Sequence, residues 1–359
     1  MSRVDIRLKE KSYPIYIEDS YEHLPECISA SGISGKIMII TDSNVDALQY
    51  HQCYEALKGC NCEIYKYVMA PGEENKTLDT IKEIYSCIKK HRFERNSVIL
   101  ALGGGVVGDV SGFAASTYLR GINFIQVPTT LLAQADSSVG GKVGVDFEGS
   151  KNMVGAFYQP RLVYINVNSL KTLPRRQLIS GMAEVVKHGL IMDREFFEYI
   201  EKNIDKILAL DVETLKYIAG KNCSLKGSIV EQDEKETGLR AILNFGHTIG
   251  HAIESKMDFT LLHGECVSIG MVGAFKLACR LGMTSQENAE RVAMLLERLG
   301  LPVNVSGPNV DGLYNQMFFD KKVKDGRLLF VLPRDIGKVE RLFINDENLI
   351  KQVLGEIII

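Results

Sequence analysis

The sequence contains no apolar run that approaches the roughly 18 residues of a membrane-spanning helix. Its first residues, 1–6, alternate like a strand and lack the basic and then apolar layout of a signal peptide. The eight cysteines include no Cys-x-x-Cys pair and no disulfide-dense spacing. We therefore expect a cytoplasmic protein with reduced thiols and no membrane association.

The chain also has little net charge. Its 42 lysines and arginines against 45 aspartates and glutamates give a formal net charge of -3. This charge provides no general attraction to nucleic acid or to an anionic membrane. The length of 359 residues, at about 150 residues per domain, suggests about two domains.

Short apolar runs alternate with helical patterns in the first half of the chain. Buried strands are predicted at 36–41, 63–69, 97–102 and 122–127, and a helix at 78–88. This alternation is typical of a parallel sheet with helices on both faces, in which ligands bind beyond the carboxyl ends of the strands. After Pro174 helical periodicities predominate until a strand signal at 327–332. We predict an α/β domain over 1–174 and a mainly α-helical domain over 175–359.

A glycine-rich motif follows the predicted strand 97–102. Gly103, Gly105 and Gly108 match G-x-G-x-x-G between a strand and a helical stretch, as a dinucleotide site requires. The acidic residue usual about twenty positions later is missing, and 128–130 reads Pro-Thr-Thr. Asp42, at the end of an earlier strand, and Asn44 beside it are both candidate ligands for ribose hydroxyls. A tight structural turn is the alternative interpretation of the glycines.

A polar segment, 71–77, follows the predicted strand 63–69. Lys76 stands just before a helix and could serve a phosphate, and Glu73 could serve a hydroxyl. A capped helix start explains the same residues equally well.

Histidine is scarce, and three of the seven histidines crowd between positions 247 and 263. His247, His251 and Glu254 share one helical face, and upstream Glu184 stands near Lys187 and His188. Imidazole and carboxylate groups are typical zinc ligands. The alternatives are that the histidines only cap or pack, and that the upstream group is a solvated helix face. Spacing leaves open which three residues hold a metal. The candidates are Glu184, His188, His247, His251 and His263.

Cationic and amide side chains cluster with these histidines. In a chain without excess positive charge, such a cluster indicates an acidic small-molecule substrate, although solvation is the alternative for any single lysine. The group consists of Lys142, Lys151, Asn152, Lys187, Lys226, Arg240, Asn244, Lys321 and Lys322.

Several of these motifs together closely resemble the 3-dehydroquinate synthase family of the shikimate pathway. The resemblance runs in order from about residue 36 to residue 325. The matching segments are 71–77, 103–109, 128–142, 151–152, 181–188, 238–251 and 263–265.

The resemblance implies a Rossmann-like N-terminal domain, a helical C-terminal domain, bound NAD, one zinc or cobalt ion between the domains, and a homodimer. It places the metal ligands on Glu184, His247 and His263, and makes His251 a substrate-facing group. The implied substrate is a small phosphorylated sugar acid, 3-deoxy-D-arabino-heptulosonate 7-phosphate. The implied enzyme is a lyase. It would convert this substrate into 3-dehydroquinate by oxidation, phosphate elimination, reduction and an intramolecular aldol step, with NAD recycled.

The resemblance also assigns individual substrate residues. Lys142, Asn152 and His251, with Arg120 from a neighbouring subunit, would hold the phosphate. Lys226, Arg240 and Lys321 or Lys322 would bind the carboxylate end. The residues implied to position hydroxyls and support the metal are Asp136, Lys187, Glu236 and Asn244.

The nucleotide-binding residues implied by the resemblance lie mostly in the first half of the chain. They are Asp42, Asn44, Pro71, Gly72, Glu73, Glu74, Asn75, Lys76, Gly104, Gly105, Val106, Val107, Gly108, Asp109, Thr129, Thr130, Lys142, Lys151 and Thr172. Eleven of the 32 glycines fall between Gly103 and Gly155, where backbone would approach NAD and the substrate phosphate.

Two other enzymes remain possible from the sequence. Another sugar-phosphate cyclase would share the NAD and metal motifs, but its relatives tend to differ near the substrate carboxylate. The context of 238–240 and Asn244 therefore favours a 3-dehydroquinate synthase. A metal-dependent polyol dehydrogenase shares the two-domain plan but does not need this many cationic groups.

Overall fold

The computed structural model describes residues 2–258, 260–318, 323–324 and 327–359. Lys321 and Lys322, the candidate carboxylate ligands, lie outside the described residues. The chain divides into two compact units: 1–174 with 212–235, and 175–211 with 236–359. Among the described residues, no helix combines the length and the apolarity that crossing a membrane requires.

The helices and strands alternate in the first half, and helices predominate after Pro174. The strands are β1 (Ser2–Ile6), β2 (Tyr13–Glu18), β3 (Gly35–Asp42), β4 (Cys62–Met69), β5 (Val98–Gly103), β6 (Asn123–Pro128), β7 (Lys142–Phe147), β8 (Ser150–Phe157), β9 (Leu162–Asn166), β10 (Val323–Lys324), β11 (Arg327–Asp335) and β12 (Lys338–Ile344). The α-helices are α1 (Leu24–Ala30), α2 (Ser43–Val45), α3 (His51–Leu57), α4 (Leu78–Lys90), α5 (Gly105–Thr117), α6 (Arg175–Met192), α7 (Arg194–Lys202), α8 (Ile204–Leu208), α9 (Val212–Gln232), α10 (His247–Lys256), α11 (His263–Arg280), α12 (Gln286–Leu299), α13 (Val310–Met317) and α14 (Glu347–Gly355).

The first unit is built on a seven-stranded sheet in the order β1-β2-β9-β6-β5-β3-β4. β1 pairs antiparallel with β2, and the other five pairings are parallel. All six residues of β5 are buried, because one face of the sheet packs on the apolar side of α1 and α3 and the other on α4 and α5. The predicted parallel sheet with both faces covered is therefore confirmed.

The helix α9 belongs to the first unit, although its sequence lies beyond Pro174. It packs against β1 and β2, and Glu231 accepts the backbone N–H of Arg7 at 2.7 Å. Lys226 on the same helix donates to the backbone carbonyl of Asp136 at 2.6 Å. Residues 212–235 thus cover the antiparallel end of the sheet. The first unit therefore contains this helix in addition to the predicted range 1–174.

The second unit brings α6, α10 and α11 together at very short helix separations. A Cβ atom at Gly270 of α11 would lie 1.9 Å from the carbonyl oxygen of Gly246, just before α10. A Cβ atom at Gly264 would meet the carbonyl of Ser180 on α6 at the same distance. Only glycine permits these approaches, and they fix α11 against α6 and against the start of α10.

The close packing of α5 on the sheet predicts a large effect at Gly112. A Cβ atom there would lie 2.4 Å from Cγ1 of Val143 and 2.9 Å from the ring of Phe124. Because overpacking a well-packed core costs about 1–3 kcal/mol, Gly112→Ala should lower the free energy of unfolding by that amount, measured in urea.

The matched control is Gly355→Ala in α14, where the nearest atom to an added Cβ is 3.9 Å away. That change should leave the free energy of unfolding unchanged or raise it by about 0.5 kcal/mol. Equal urea midpoints for both variants would contradict the packing described for α5.

Candidate functional site

Three candidate metal ligands meet in the second unit. Glu184 lies on α6, and His247 and His263 are the first residues of α10 and α11. Oε1 of Glu184 lies 3.6 Å from Nε2 of His247 and 3.4 Å from Nε2 of His263. One ligand atom from each residue falls within 4.8 Å of the others, a spacing that suits a single metal ion with further coordination positions open.

The electrostatics of this triad also suit a cation. Glu184 is completely buried, and among the described residues no donor makes a hydrogen bond to its Oε1. Burial opposes ionisation, but Lys187 and the two histidines hold the pKa of Glu184 well below its usual value. Burial and Lys187 lower the pKa of His247, so its imidazole is neutral and can bind a metal.

An acceptor lies behind each imidazole ring, on the side away from Glu184. Nδ1 of His247 donates to the carbonyl oxygen of Phe245 at 3.0 Å, which leaves the lone pair on Nε2 for a metal. Nδ1 of His263 lies 3.6 Å from Oε2 of the buried Glu254. Burial lowers the pKa of His263, but contacts with Glu184 and Glu254 raise it to about 9. Such groups behind metal-bound histidines fix the ring orientation.

A second set of candidate ligands shares His263. Ligand atoms of His251, Glu254 and His263 also lie within 4.8 Å of one another. The rings of His247 and His251 have centroids 5.1 Å apart. Within the second unit, therefore, geometry alone leaves two overlapping triads. Helical spacing places Glu254 on the face of His247 and His251, but its contact with His263 depends on packing between α10 and α11, which spacing along one helix does not contain.

The polar face around Glu184 is not solvated. Glu184 and His188 are fully buried and Lys187 is 2% exposed, and the Lys187 ammonium pairs with Oε2 of Glu184. The solvated interpretation of this helix face is therefore wrong, because α6 is covered along this side in the folded chain.

In the first unit, Lys76 is the centre of a buried polar network. Its Nζ donates to Oδ2 of Asp109 at 2.7 Å and to Oδ1 of Asn152 at 2.5 Å, and lies 3.7 Å from Oε1 of Glu73. Burial opposes its charge, but Asp109 and Glu73 raise the pKa of Lys76. The capped helix start is present as well, since Oγ1 of Thr77 accepts the backbone N–H at the start of α4.

The glycine motif connects β5 to α5 as predicted. Gly103 ends the strand, Gly104 precedes the helix, and α5 begins at Gly105. The backbone N–H of Thr129 donates to the carbonyl of Gly103 at 2.9 Å. The Thr129 hydroxyl is buried and has no hydrogen-bond partner among the described residues, so a polar group at this strand end is available to a ligand.

The other nucleotide candidates lie at neighbouring strand ends of the same unit. Asp42 ends β3, and its Oδ1 accepts the N–H groups of Asn44 and Val45 at 2.9 and 3.0 Å. Oγ1 of Thr172, after β9, accepts from Gln49 at 2.7 Å. These residues gather at the carboxyl edge of the sheet because the strands are parallel.

The substrate candidates of the first unit are partly exposed and partly paired. Lys142 and Asn152 are exposed on the β7–β8 hairpin. Arg120 is exposed after α5 in a left-handed conformation, with φ 68°. The buried Lys226 pairs with Oδ1 of Asp136 at 2.6 Å.

In the second unit, Arg240 is 2% exposed in the 3-10 helix Leu239–Asn244. The amide of Asn244 donates to Oε1 of Glu236 at 2.9 Å. A buried guanidinium is a strong donor for a carboxylate.

Comparison with known proteins assigns the family. The model of the 3-dehydroquinate synthase N-terminal domain matches residues 66–180, and that of the C-terminal domain matches residues 181–323. The 3-dehydroquinate synthase of Acetivibrio thermocellus is 57% identical over 358 residues, 99% of both chains. That of Ruminiclostridium cellulolyticum is 56% identical over 354 residues, again 99% of both chains. The chain belongs to the 3-dehydroquinate synthase family.

Solved structures confirm the predicted fold class. A 2-deoxy-scyllo-inosose synthase complexed with carbaglucose-6-phosphate, NAD+ and Co2+ has a TM-score of 0.90 at 28% identity, covering 99% of this chain and 100% of that chain. The 2-epi-5-epi-valiolone synthase of Streptomyces hygroscopicus, with NAD+ and Zn2+ bound, has the same TM-score and identity, covering 98% of both chains. A probable glycerol dehydrogenase of Sinorhizobium meliloti, at 12% identity and a TM-score of 0.67 over 96% of both chains, shares the fold alone.

The buried pair of Lys76 and Asp109 makes a prediction about stability. Lys76→Met leaves the Asp109 carboxylate, whose side chain is 20% exposed, without its cation. Removing one partner of a buried pair lowers the free energy of unfolding by about 3–5 kcal/mol. Because Asp109 is partly exposed, we expect a smaller loss of about 2–3 kcal/mol, measured by urea unfolding.

Burial already raises the pKa of Asp109, and losing Lys76 raises it further. The destabilisation of Lys76→Met should therefore diminish as the pH falls through that pKa and the carboxyl becomes neutral. Lys76→Met combined with Asp109→Asn should recover most of the lost stability. A double variant no more stable than Lys76→Met would contradict this account of the pair.

Proposed function

We propose that this chain converts 3-deoxy-D-arabino-heptulosonate 7-phosphate into 3-dehydroquinate and phosphate, the second step of the shikimate pathway, which supplies chorismate and the aromatic amino acids. The observation that carries the proposal is identity of 57% over 99% of a curated 3-dehydroquinate synthase. The convergence of Glu184, His247 and His263 in the second unit supports it. A homodimer in the cytoplasm belongs to the same proposal, as do NAD binding by the first unit, 1–174 with 212–235, and metal binding by the second unit, 175–211 with 236–359.

The residues present suit NAD and a divalent metal. Oε1 of Glu184 and the hydroxyl of Thr129 are buried polar atoms without a hydrogen-bond partner among the described residues. A carboxylate with two imidazoles is a ligand set that zinc and cobalt accept. We assign the metal to Glu184, His247 and His263, because His247 is already oriented by Phe245.

The chain's own residues would bind and orient the substrate. When bound, NAD would take and return a hydride and the metal would polarise the oxygens of the reacting sugar. We assign phosphate binding to Lys142, Asn152, His251 and a neighbouring subunit's Arg120, and carboxylate binding to Lys226, Arg240 and Lys321 or Lys322.

Four polar residues complete the proposed substrate site. Asn244, oriented by Glu236, would donate to a substrate hydroxyl, as would Lys187. Asp136 would accept from a hydroxyl. The leaving phosphate itself can take the proton in the elimination, so no side chain is assigned as a base.

The proposed reaction predicts a specific balance of products. Purified protein with the heptulosonate phosphate, zinc and a trace of NAD should release phosphate and 3-dehydroquinate in equal amounts. Because the cofactor is recycled, products should exceed the added NAD many times. The measurement is a phosphate assay coupled to chromatography of the product.

Two results would contradict the proposal in different ways. Turnover of a hexose phosphate in place of the heptulosonate phosphate would assign the chain to another sugar-phosphate cyclase activity. Stoichiometric NADH formation from glycerol, with no phosphate release, would indicate a polyol dehydrogenase.

The two overlapping triads predict different effects of histidine substitutions on the zinc content of the protein. With Glu184, His247 and His263 as ligands, His247→Ala and His263→Ala should lose zinc, whereas His251→Ala should keep about one zinc per chain. The measurement is elemental analysis after dialysis against a zinc buffer. Zinc retained by His247→Ala but lost from His251→Ala would assign the metal to His251, Glu254 and His263.

A further inference from the structure

The β7–β8 hairpin contains a bulge at Asn152, one of the residues assigned to phosphate binding. Phe147 pairs with Ser150 across a tight turn, and the next pair is Val145 with Val154. Asp146 alone on β7 therefore faces the three residues 151–153 of β8. A bulge of this kind interrupts the ladder and redirects side chains, and Lys151 and Asn152 are both exposed here.

Asp146 replaces the missing ladder partner of Asn152. Oδ1 of Asp146 accepts the backbone N–H of Asn152 at 2.7 Å. Asn152 has φ 52°, a left-handed conformation that asparagine adopts more readily than most residues. The backbone N–H of Asp146 donates to the carbonyl of Lys76 at 2.8 Å, so the residue that holds Asn152 is itself fixed to the segment before α4.

The Lys76 ammonium then determines which way the Asn152 amide faces. It donates to Oδ1 of Asn152 at 2.5 Å, and an ammonium can only donate. Oδ1 therefore faces Lys76, and Nδ2, with its two N–H donors, faces the other way. A phosphate oxygen accepts hydrogen bonds from such amide N–H groups.

We propose that Asp146 is a positioning residue for the substrate phosphate, acting through Asn152. Its carboxylate holds the backbone of Asn152 in the left-handed conformation that presents Nδ2 to the phosphate. The inference rests on the proposed function. The role belongs to the side chain alone. After substitution the backbone N–H of residue 146 can still donate to the carbonyl of Lys76, which keeps the segment before α4 in place.

The test compares substitutions of Asp146 in the full-length, zinc-loaded enzyme. Asp146→Ala should raise KM for the heptulosonate phosphate by about tenfold, the usual effect of one lost hydrogen bond, with a smaller change in kcat. The Kd for NAD, measured calorimetrically without substrate, should stay within about twofold, since the backbone contact to Lys76 remains.

Asp146→Asn is the matched control, because its amide oxygen can accept the same N–H. It should restore KM to within about twofold of the wild-type value. Asp146→Val, which suits a strand and lacks the oxygen, is the second truncation if Asp146→Ala does not fold.

A double-mutant cycle with Asn152→Gly isolates the route of the effect. Glycine adopts the left-handed backbone freely but removes Nδ2, so Asn152→Gly should raise KM by itself. In that background Asp146→Ala should cause no further rise, because the group it positions is gone.

Three results would overturn the inference while leaving the proposed function intact. The first is an unchanged KM in Asp146→Ala. The second is a rise in KM on Asp146→Ala that is equally large in the wild-type and in the Asn152→Gly background. The third is a loss of NAD affinity as large as the rise in KM. Absence of turnover in the wild-type protein would instead refute the proposed function, and the role of Asp146 with it.

Discussion

The structure of the second unit depends on a carboxylate buried beside two imidazoles and an ammonium. Glu184 has no exposed surface, and an isolated charge in such a position would cost several kcal/mol. Lys187, His247 and His263 surround it and offset part of that cost. A divalent cation between the carboxylate and the two imidazoles would offset more, because it brings positive charge directly to Oε1.

The packing that builds this site leaves little freedom in the sequence. Helix α11 must approach both α6 and the start of α10 closely, and Gly264 and Gly270 occupy the two points where a side chain would collide with that backbone. Those helix starts carry His247 and His263. A change in helix packing would consequently move the imidazole nitrogens of the two histidines, so the helix contacts that stabilise this unit also set the geometry of the candidate metal site.

In the first unit, a network of polar side chains is held at the carboxyl edge of a parallel sheet. Lys76 links the segment before α4 to α5 through Asp109 and to the β7–β8 hairpin through Asn152. Three segments far apart in sequence are thereby fixed around one buried ammonium. The left-handed backbone of Asn152 is tolerated because Asp146 satisfies its N–H.

Local patterns predicted much of this architecture. The apolar runs at 36–41 and 97–102 form β3 and β5, and the helical spacing at 78–88 forms α4, because burial periodicity is a local property. The same periodicity brought His247, His251 and Glu254 to one face, but which residues face Glu184 depends on packing between helices. The return of α9 to the sheet and the burial of Lys187 depend on contacts distant in sequence, which a local pattern does not contain.

We propose that Glu184, His247 and His263 together bind one metal ion. Anomalous diffraction at the zinc absorption edge from crystals of the zinc-loaded protein tests it most directly. We expect one anomalous peak within bonding distance, about 2.0–2.2 Å, of Oε1 of Glu184 and of Nε2 of both His247 and His263. A peak bound instead by His251, Glu254 and His263 would contradict it.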